Sequence, residues 1–375
     1  MRILHTGDLH LDSAFCAYGA RDSQKQREAG RALLRRIFEC AKNESCEMIL
    51  ISGDLFDGKF VSPETAELFC TLVENCTVPV VVSPGNHDFY FDGSFYSKAA
   101  KRLGDKLTVF TSPELQVFDF DELGVSVFGY AFTSAALTQS PLMTSEVYED
   151  NGKLRILCAH ADMSSPTSRY APISLGQIQR LGFAYSALGH IHNRAPAEDS
   201  EGKVRYCGFA QGRSFDEIGE GGVWIVDVTA DGVTAERRIL SSAAFYRFAV
   251  ALQGNEADAS EKIIDAAREQ SYGEGAHLRI TLEGISQTTS GTELSALAQR
   301  VKEALGVEYV EIEDETLPLL DGEYLERDTT LRGELYRTLK PKLLSGDDAE
   351  RRRALKALQI GLAAIDGKNI FGFVE

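Results

Sequence analysis

The sequence predicts an α/β protein whose polar motifs gather at one edge of its sheets. Three observations predict it. Short apolar runs alternate with amphipathic stretches over the first 240 residues. Five of these runs lead directly into a polar motif rich in Asp and His. The 375 residues are 43% apolar and 25% charged, ordinary values for a globular protein, and they exceed what one hydrophobic core usually serves.

Local patterns place the expected elements. Strands are predicted at 2–6, 47–52, 78–83, 107–110, 125–130, 154–159, 183–188, 223–228 and 234–240. Apolar residues at positions 29, 33, 34, 37, 38 and 41 form one face of a helix. Pro63, followed by Glu64, opens another helix, because Pro suits the first turn and an acid suits the N-terminal dipole. The glycines from Gly219 to Gly222 predict turns, not a phosphate-binding loop.

Three segments are predicted along the chain. Residues 1–243 form the large α/β domain. Residues 244–320 read strand, helix, strand, helix, strand, which predicts a small α+β cap. Residues 321–375 are helical and rich in paired charges, with a basic run at Arg351-Arg352-Arg353 and an apolar end from Ile370 to Val374.

The charge distribution is uneven. Formal net charge is −17, and residues 245–321 carry 6 basic and 15 acidic side chains. This composition argues against a broad basic surface for nucleic acid. Bound divalent cations would change the local charge of a cleft, so net charge does not decide what a site binds.

The start of the sequence, its apolar runs and its cysteines indicate the cellular compartment. The start of the chain reaches Asp8 without an apolar stretch typical of a signal peptide, and no apolar run approaches the ~20 residues that cross a bilayer. The seven cysteines are odd in number and form no CxxC pair, which favours free thiols over a disulfide framework. We therefore expect a cytoplasmic protein that does not enter a membrane.

Five polar motifs follow strand-like runs. They are Asp8-Leu9-His10, Gly53-Asp54-Leu55-Phe56-Asp57, Gly85-Asn86-His87-Asp88, His160 and Gly189-His190-Ile191-His192. Functional groups collect outside the carboxyl ends of strands in open α/β sheets, so these motifs are expected to converge on one cleft. A lone His after a strand is more often structural, and a Gly-Asp pair is usually a turn. Independent turns do not explain five of seven histidines in this arrangement.

The residue types indicate metal binding. Carboxylate, amide and imidazole ligands without thiolate suit Mn, Fe, Zn or Mg. Asp8 and His10 stand two apart on an extended segment and can face one ion. Asp54 has two carboxylate oxygens and can bridge two ions about 3.5–4 Å apart. Outside the motifs, His5 is predicted to be structural within the first strand, and His277 is predicted to lie on the surface.

The five motifs in this order resemble the signature of the calcineurin-like metallophosphoesterase superfamily. The resemblance spans residues 8–192 and implies a sandwich of two mixed β-sheets flanked by helices. It also implies two divalent ions, Mn²⁺ in the first place, with Fe, Zn or Mg as alternatives. The implied ligands are Asp8, His10 and His192 for one ion and Asn86, His160 and His190 for the other, with Asp54 bridging.

The same resemblance implies catalytic roles for two further residues. His87 would contact the substrate phosphate and protonate the leaving oxygen. Asp88 would orient the His87 imidazole. Water activated by the two cations would attack phosphorus in line.

Within the superfamily the chain resembles the SbcD-type exonuclease subunits of DNA repair. The opening from Ile3 to Leu11 carries this resemblance, as do Tyr206-Cys207-Gly208-Phe209 and Phe215-Asp216-Glu217. It implies DNA as substrate and an SbcC-like coiled-coil ATPase as partner, bound through helices after the cap, for which residues 321–375 are the candidate. A homodimer is also possible. Cys207 and Phe209 stand where that family has serines, which marks a divergent branch.

Two alternatives to a nuclease remain. One is a phosphatase or phosphodiesterase acting on a small molecule, a nucleotide or a phosphoprotein, with the acidic cap as a specificity lid. The other is a non-catalytic scaffold, which the complete set of ligands and the retention of His87 argue against.

Overall fold

The computed structural model describes most of the chain. The described residues are 1–14, 20–143, 151–192, 198–229, 231–253, 259–273, 275–286, 291–318 and 322–365. The chain divides into two compact units, Met1–Ala244 and Phe245–Glu375. No helix among the described residues combines the length and apolarity needed to cross a membrane. The predicted apolar end at 370–374 lies outside the described residues.

The first unit contains eleven described strands and four described α-helices. Strands β1 to β11 are Arg2–Thr6, Met48–Ile51, Val80–Val82, Leu107–Val109, Gln116–Phe120, Val125–Gly129, Leu154–His160, Tyr185–Gly189, Val204–Tyr206, Gly222–Thr229 and Gly232–Ile239. Helices α1 to α4 are Ala20–Asn43, Pro63–Asn75, Phe95–Leu103 and Leu175–Leu181. Short 3₁₀ turns lie at Gly104–Lys106 and Asp121–Leu123.

These strands form two mixed sheets. The first has the order β11-β10-β1-β2-β3-β4, in which β1 to β4 are parallel and β10 is antiparallel to both β1 and β11. The second has the order β5-β6-β7-β8-β9, in which only β5 is antiparallel to its neighbour. The predicted fold of two mixed sheets flanked by helices is confirmed.

Burial on both faces explains why the central strands are continuously apolar. In β1, Ile3 packs in the core between the two sheets, and Leu4 packs on the opposite face against α1. The same alternation holds in β2, where Leu50 faces the second sheet and Ile49 faces the helices. A strand covered on both sides has no solvent face, so its sequence loses the polar alternation of an exposed sheet.

The helix predicted at Pro63 is α2, and its start follows from its sequence. The Ser62 hydroxyl caps it by accepting a hydrogen bond from the Thr65 amide at 3.3 Å, and Pro63 occupies the first turn. The buried ring of Phe69 meets Phe38 of α1 edge-on, with ring centroids 6.4 Å apart. Aromatic contacts of this geometry hold α1 and α2 against each other.

The second unit is an α+β sheet followed by helices. Strands β12 to β15 are Ala244–Gln253, Ala276–Ser286, Tyr309–Asp314 and Leu317–Pro318, and helices α5 to α9 are Ala259–Arg268, Gly291–Leu305, Gly322–Arg327, Leu331–Leu343 and Asp348–Ile365. The sheet has the order β12-β13-β14, with β15 pairing β13. Its core includes Leu278, Ile280 and Val301. The surface position predicted for His277 is wrong: it is 6% exposed, and its ring packs near Phe245 and Tyr309.

The last helix packs within its own unit. Leu358 and Leu362 of α9 are buried, and the Gln359 side-chain amide donates to the Thr316 carbonyl. Gly361 lies against Leu335 of α8, where a Cβ would come within 2.4 Å of a Leu335 methyl carbon. Leu358 and Leu362 therefore contact residues inside this unit, while Arg351, Arg352 and Arg353 are exposed.

Candidate metal centre

The first two motifs leave adjacent parallel strands and pair with each other. Thr6 at the end of β1 lies beside Ile51 at the end of β2. Beyond the strands, the Asp8 amide donates to the Gly53 carbonyl and the His10 amide to the Asp54 carbonyl, each at 3.0 Å. The two loops therefore hold their acidic side chains at the same edge of the sheet.

Unusual backbone conformations mark the candidate ligands. Asp8, His10 and Asp54 have φ values of 48°, 44° and 47°, and His190 has a φ of 106°. Left-handed conformations at non-glycine residues cost of the order of 1–3 kcal/mol each and collect at functional sites. The packing of the surrounding fold therefore offsets the cost of holding these four residues in strained conformations.

Two glycines are required by close approach of other groups. Gly53 has a φ of 92°, and a Cβ there would lie 2.5 Å from His160 Nδ1. At Gly85 a Cβ would lie 2.1 Å from Asp54 Oδ1. Any side chain at either position would displace a candidate ligand.

Asp8, His10 and His192 form the first group of converging ligand atoms. Their nearest ligand atoms all lie within 4.8 Å of one another. His10 Nε2 and His192 Nε2 face each other at 3.4 Å, and His192 Nε2 lies 3.7 Å from Asp8 Oδ1. One carboxylate oxygen and two imidazole nitrogens pointing to one place can hold a divalent cation.

The second group is centred on His160. Its Nε2 lies 3.0 Å from Asn86 Oδ1 and 3.4 Å from Asp54 Oδ2. The same Asp54 oxygen lies 3.8 Å from His10 Nε2 of the first group. Asp54 thus faces both groups, which is the placement that its predicted bridging role requires.

His190 is placed differently. Its backbone amide donates to the Asp8 carboxylate at 2.9 and 3.1 Å, and its Nε2 lies 3.9 Å from Asp162 Oδ2. Its ring packs against His160, with centroids 5.1 Å apart. Among the described residues, its ring nitrogens join none of the three-residue groups defined by the 4.8 Å spacing. The ligand role of His190 stays a prediction.

The buried carboxylates require positive charge nearby. Asp8 and Asp54 are each only 2% exposed. Burial alone would raise the pKa of Asp8, but the hydrogen bond with His192 and the charge of His160 hold it below its ordinary value. Burial opposes protonation of His160, yet the Asp54 carboxylate raises its pKa to about 9. A centre that attracts protons in this way, with oxygen and nitrogen donors, fits divalent cations.

Cys207 approaches the centre as a thiol. Its Sγ donates to Asp8 Oδ2 at 3.1 Å, in place of the serine expected from the resemblance. Burial raises the pKa of this thiol well above its usual value, and the nearby Asp8 charge acts in the same direction. Cys207 therefore serves as a hydrogen-bond donor to a candidate ligand.

His87 lies at the exposed side of the centre, and its side chain contacts Asp57 instead of the predicted Asp88. His87 Nδ1 lies 3.1 Å from Asp57 Oδ1, and this hydrogen bond raises the pKa of His87 despite desolvation. Asp88 was expected to orient the imidazole. Instead its buried carboxylate accepts from the Gly85 amide at 2.8 Å and from the Tyr96 hydroxyl at 2.5 Å. Asp88 therefore shapes the loop, and Asp57 holds the ring.

Two carboxylates that contact candidate site histidines were assigned no role from the sequence. Asp57 is the final residue of the Gly-Asp-x-x-Asp motif, so its spacing was the available signal. Glu217 lies 25 residues beyond His192, and its Oε1 is 2.7 Å from His192 Nδ1. Its signal was its place in the Phe215-Asp216-Glu217 segment that carries the resemblance, but only the fold shows that it meets His192.

Comparison with known proteins agrees with this geometry. The sequence model of the calcineurin-like phosphoesterase family matches residues 1–194. The chain is 28% identical over 250 residues to the uncharacterized metallophosphoesterase YhaO of Bacillus subtilis (strain 168), covering 63% of this chain and 59% of that protein. It is 24% identical over 258 residues to the SbcD component of the nuclease SbcCD of Staphylococcus epidermidis (strain ATCC 12228 / FDA PCI 1200), covering 61% of this chain and 66% of that protein. The chain thus spans about three fifths to two thirds of these relatives' lengths.

Removing the shared carboxylate tests the centre. We expect Asp54→Ala to lose both metal ions, because its oxygen faces both groups of ligands. Elemental analysis after dialysis against Mn²⁺ measures the loss. Asp105→Ala, which removes an exposed carboxylate from a surface turn, is the control and should bind metal like the unaltered protein. Near-full occupancy by two ions in a folded Asp54→Ala protein would exclude the bridging role.

Proposed function

The chain belongs to the calcineurin-like phosphoesterase family, and from that premise we propose that it is a two-metal phosphodiester hydrolase that degrades DNA as an exonuclease subunit. The observation that carries the catalytic part is the buried group of Asp8, Asp54 and His160 with exposed His87 beside it. That arrangement supports hydrolysis of a phosphoester at the open side of the centre.

Each candidate ligand has a defined task in this proposal. Asp8, His10 and His192 would hold one cation, Asn86, His160 and His190 the other, and Asp54 both. Two divalent cations supply Lewis acidity, which lowers the pKa of water and offsets charge on the phosphoryl oxygens. These ligand types are compatible with Mn²⁺, Fe, Zn and Mg, and we propose Mn²⁺ as the native metal.

His87 supplies the proton in this proposal. Its imidazole is partly exposed, as a group that meets substrate must be. The Asp57 carboxylate fixes Nδ1 and raises the pKa of the ring, so the protonated form is favoured and Nε2 can donate. The acceptor would be the leaving oxygen of the phosphodiester.

The choice of DNA as substrate rests on similarity to known proteins. It comes from the similarity to the Staphylococcus nuclease component and from the motifs shared with SbcD-type proteins. The acidic residues 245–321 favour the alternative, a small-molecule or nucleotide phosphodiesterase, because they would repel a polyanion.

A substrate comparison separates these functions. With Mn²⁺ present, we expect the protein to shorten end-labelled linear DNA and to hydrolyse bis(p-nitrophenyl) phosphate, and to do neither after chelation. Activity on the small diester without any shortening of 3′- or 5′-labelled DNA would favour the alternative substrate class. Absence of both activities in metal-loaded protein would reject the proposal.

Substitution of His87 tests its role as proton donor. General acid catalysis is worth about 10²–10⁴-fold. We expect His87→Gln to retain both ions and to lose kcat in that range on DNA, whose alkoxide leaving group needs a proton. The loss should be much smaller on a p-nitrophenyl ester, whose leaving group needs none. An equal loss on both substrates would indicate a role other than protonation.

We propose an SbcC-like coiled-coil ATPase as the partner, bound by the exposed basic run of α9. Leu358 and Leu362 are buried in the unit, whereas the three arginines are exposed and available to a partner. A symmetric dimer of this chain is the second possibility.

Charge reversal tests the partner surface without disturbing the core. We expect replacement of Arg351, Arg352 and Arg353 by Glu to abolish capture of the ATPase while leaving hydrolysis of the small diester unchanged, because exposed substitutions rarely change stability by more than about 0.5 kcal/mol. The same three changes to Lys keep the charge and serve as the control. Undiminished capture by the Glu variant would exclude this surface. Light scattering of both variants tests the dimer.

A further inference from the structure

His192 of the first group differs from His160 in the kind of group that contacts its Nδ1 atom. His160 Nδ1 is 3.0 Å from the backbone carbonyl of Ser52, so the main chain fixes its ring. Behind His192 lies a side chain from a separate loop, Glu217, at 2.7 Å from Nδ1. The orientation of His192 therefore depends on a residue outside the five motifs.

Glu217 is held in place from several directions. It is 5% exposed, and its Oε2 accepts from the Arg213 backbone amide at 2.8 Å. Its Oε1 also accepts from the Arg213 guanidinium at 2.6 Å. A buried carboxylate is costly unless it is paired and hydrogen-bonded, and here one loop supplies both kinds of partner. Glu217 is thus a fixed acceptor when His192 meets it.

The contact selects one tautomer of His192. An ionised carboxylate only accepts, so the proton between the two groups belongs to His192 Nδ1. The Arg213 guanidinium lies farther from that nitrogen, at 3.4 Å. With Nδ1 protonated, the lone pair of a neutral imidazole lies on Nε2, which is the atom that faces His10 and Asp8. A carboxylate behind a histidine in this way fixes the ring and raises its basicity as a metal ligand.

We propose that Glu217 is a positioning residue for one metal ion: it holds His192 in the tautomer and orientation that bind a divalent cation together with Asp8 and His10. The proposal rests on the metal-dependent function proposed above. It also distinguishes the two ions, since Glu217 stands behind a ligand of the first group and not of the second. Arg213 contributes by holding Glu217 in place.

Metal binding provides a test that does not depend on turnover. Loss of such an outer carboxylate typically weakens metal affinity about 10–100-fold. We expect Glu217→Ala to bind one Mn²⁺ per chain at concentrations where the unaltered protein binds two, with the Kd of the lost ion raised by that factor. Calorimetric titration with Mn²⁺ measures the affinities. The electron paramagnetic resonance spectrum of bound Mn²⁺ should change from that of an interacting pair of ions to that of an isolated ion.

Matched variants make the result decisive. Glu220→Ala removes an exposed acid three residues along the same loop and should bind both ions normally. If Glu217→Ala does not fold, the nearly isosteric Glu217→Gln replaces it, with an expected loss of about 10-fold for one ion. Unchanged affinity for both ions in a folded Glu217 variant would overturn the proposal. A protein that binds two ions but hydrolyses no phosphodiester would reject the proposed function and leave this inference standing.

Discussion

Burial of two carboxylates at the ends of neighbouring strands is the constraint on which this structure depends. Asp8 and Asp54 follow β1 and β2, and both are almost fully buried. Like charges placed together in a medium of low dielectric are costly unless positive charge and hydrogen-bond donors surround them. The left-handed backbone at both residues and the absence of a side chain at Gly85 are what this placement requires locally. The divalent metals that the family uses would supply positive charge at the same place.

Most of the fold could be predicted from the sequence because the central strands of both sheets are covered on both faces. A doubly covered strand is a continuous apolar run, and all nine predicted strands have counterparts at those positions. Two edge strands, β5 and β9, were missed. In β5, partly exposed side chains alternate with more exposed ones, and β9 has only three residues, so neither offers the apolar signal. Pairing with a neighbour defines them, and the sequence pattern does not show that pairing.

The site could be predicted only where its residues are close in sequence. Asp8 and His10 lie in one motif, and the structure brings them together. The role of Asp88 was implied by the resemblance, but consecutive residues in a tight loop point to different places. The Asp88 carboxylate is used by backbone amides and by Tyr96, while Asp57 arrives from another strand end to meet the imidazole. Glu217 shows the same limit over a longer separation.

Asp57 contacts both a candidate metal ligand and the candidate proton donor. Its Oδ1 lies 3.1 Å from His10 Nδ1 and 3.1 Å from His87 Nδ1, so one oxygen serves a candidate ligand and the candidate acid. Each hydrogen bond draws on the same carboxylate charge, and hydrogen bonds from both rings lower the pKa of Asp57 against the effect of burial. A change at Asp57 would therefore remove a hydrogen-bond partner from both His10 and His87.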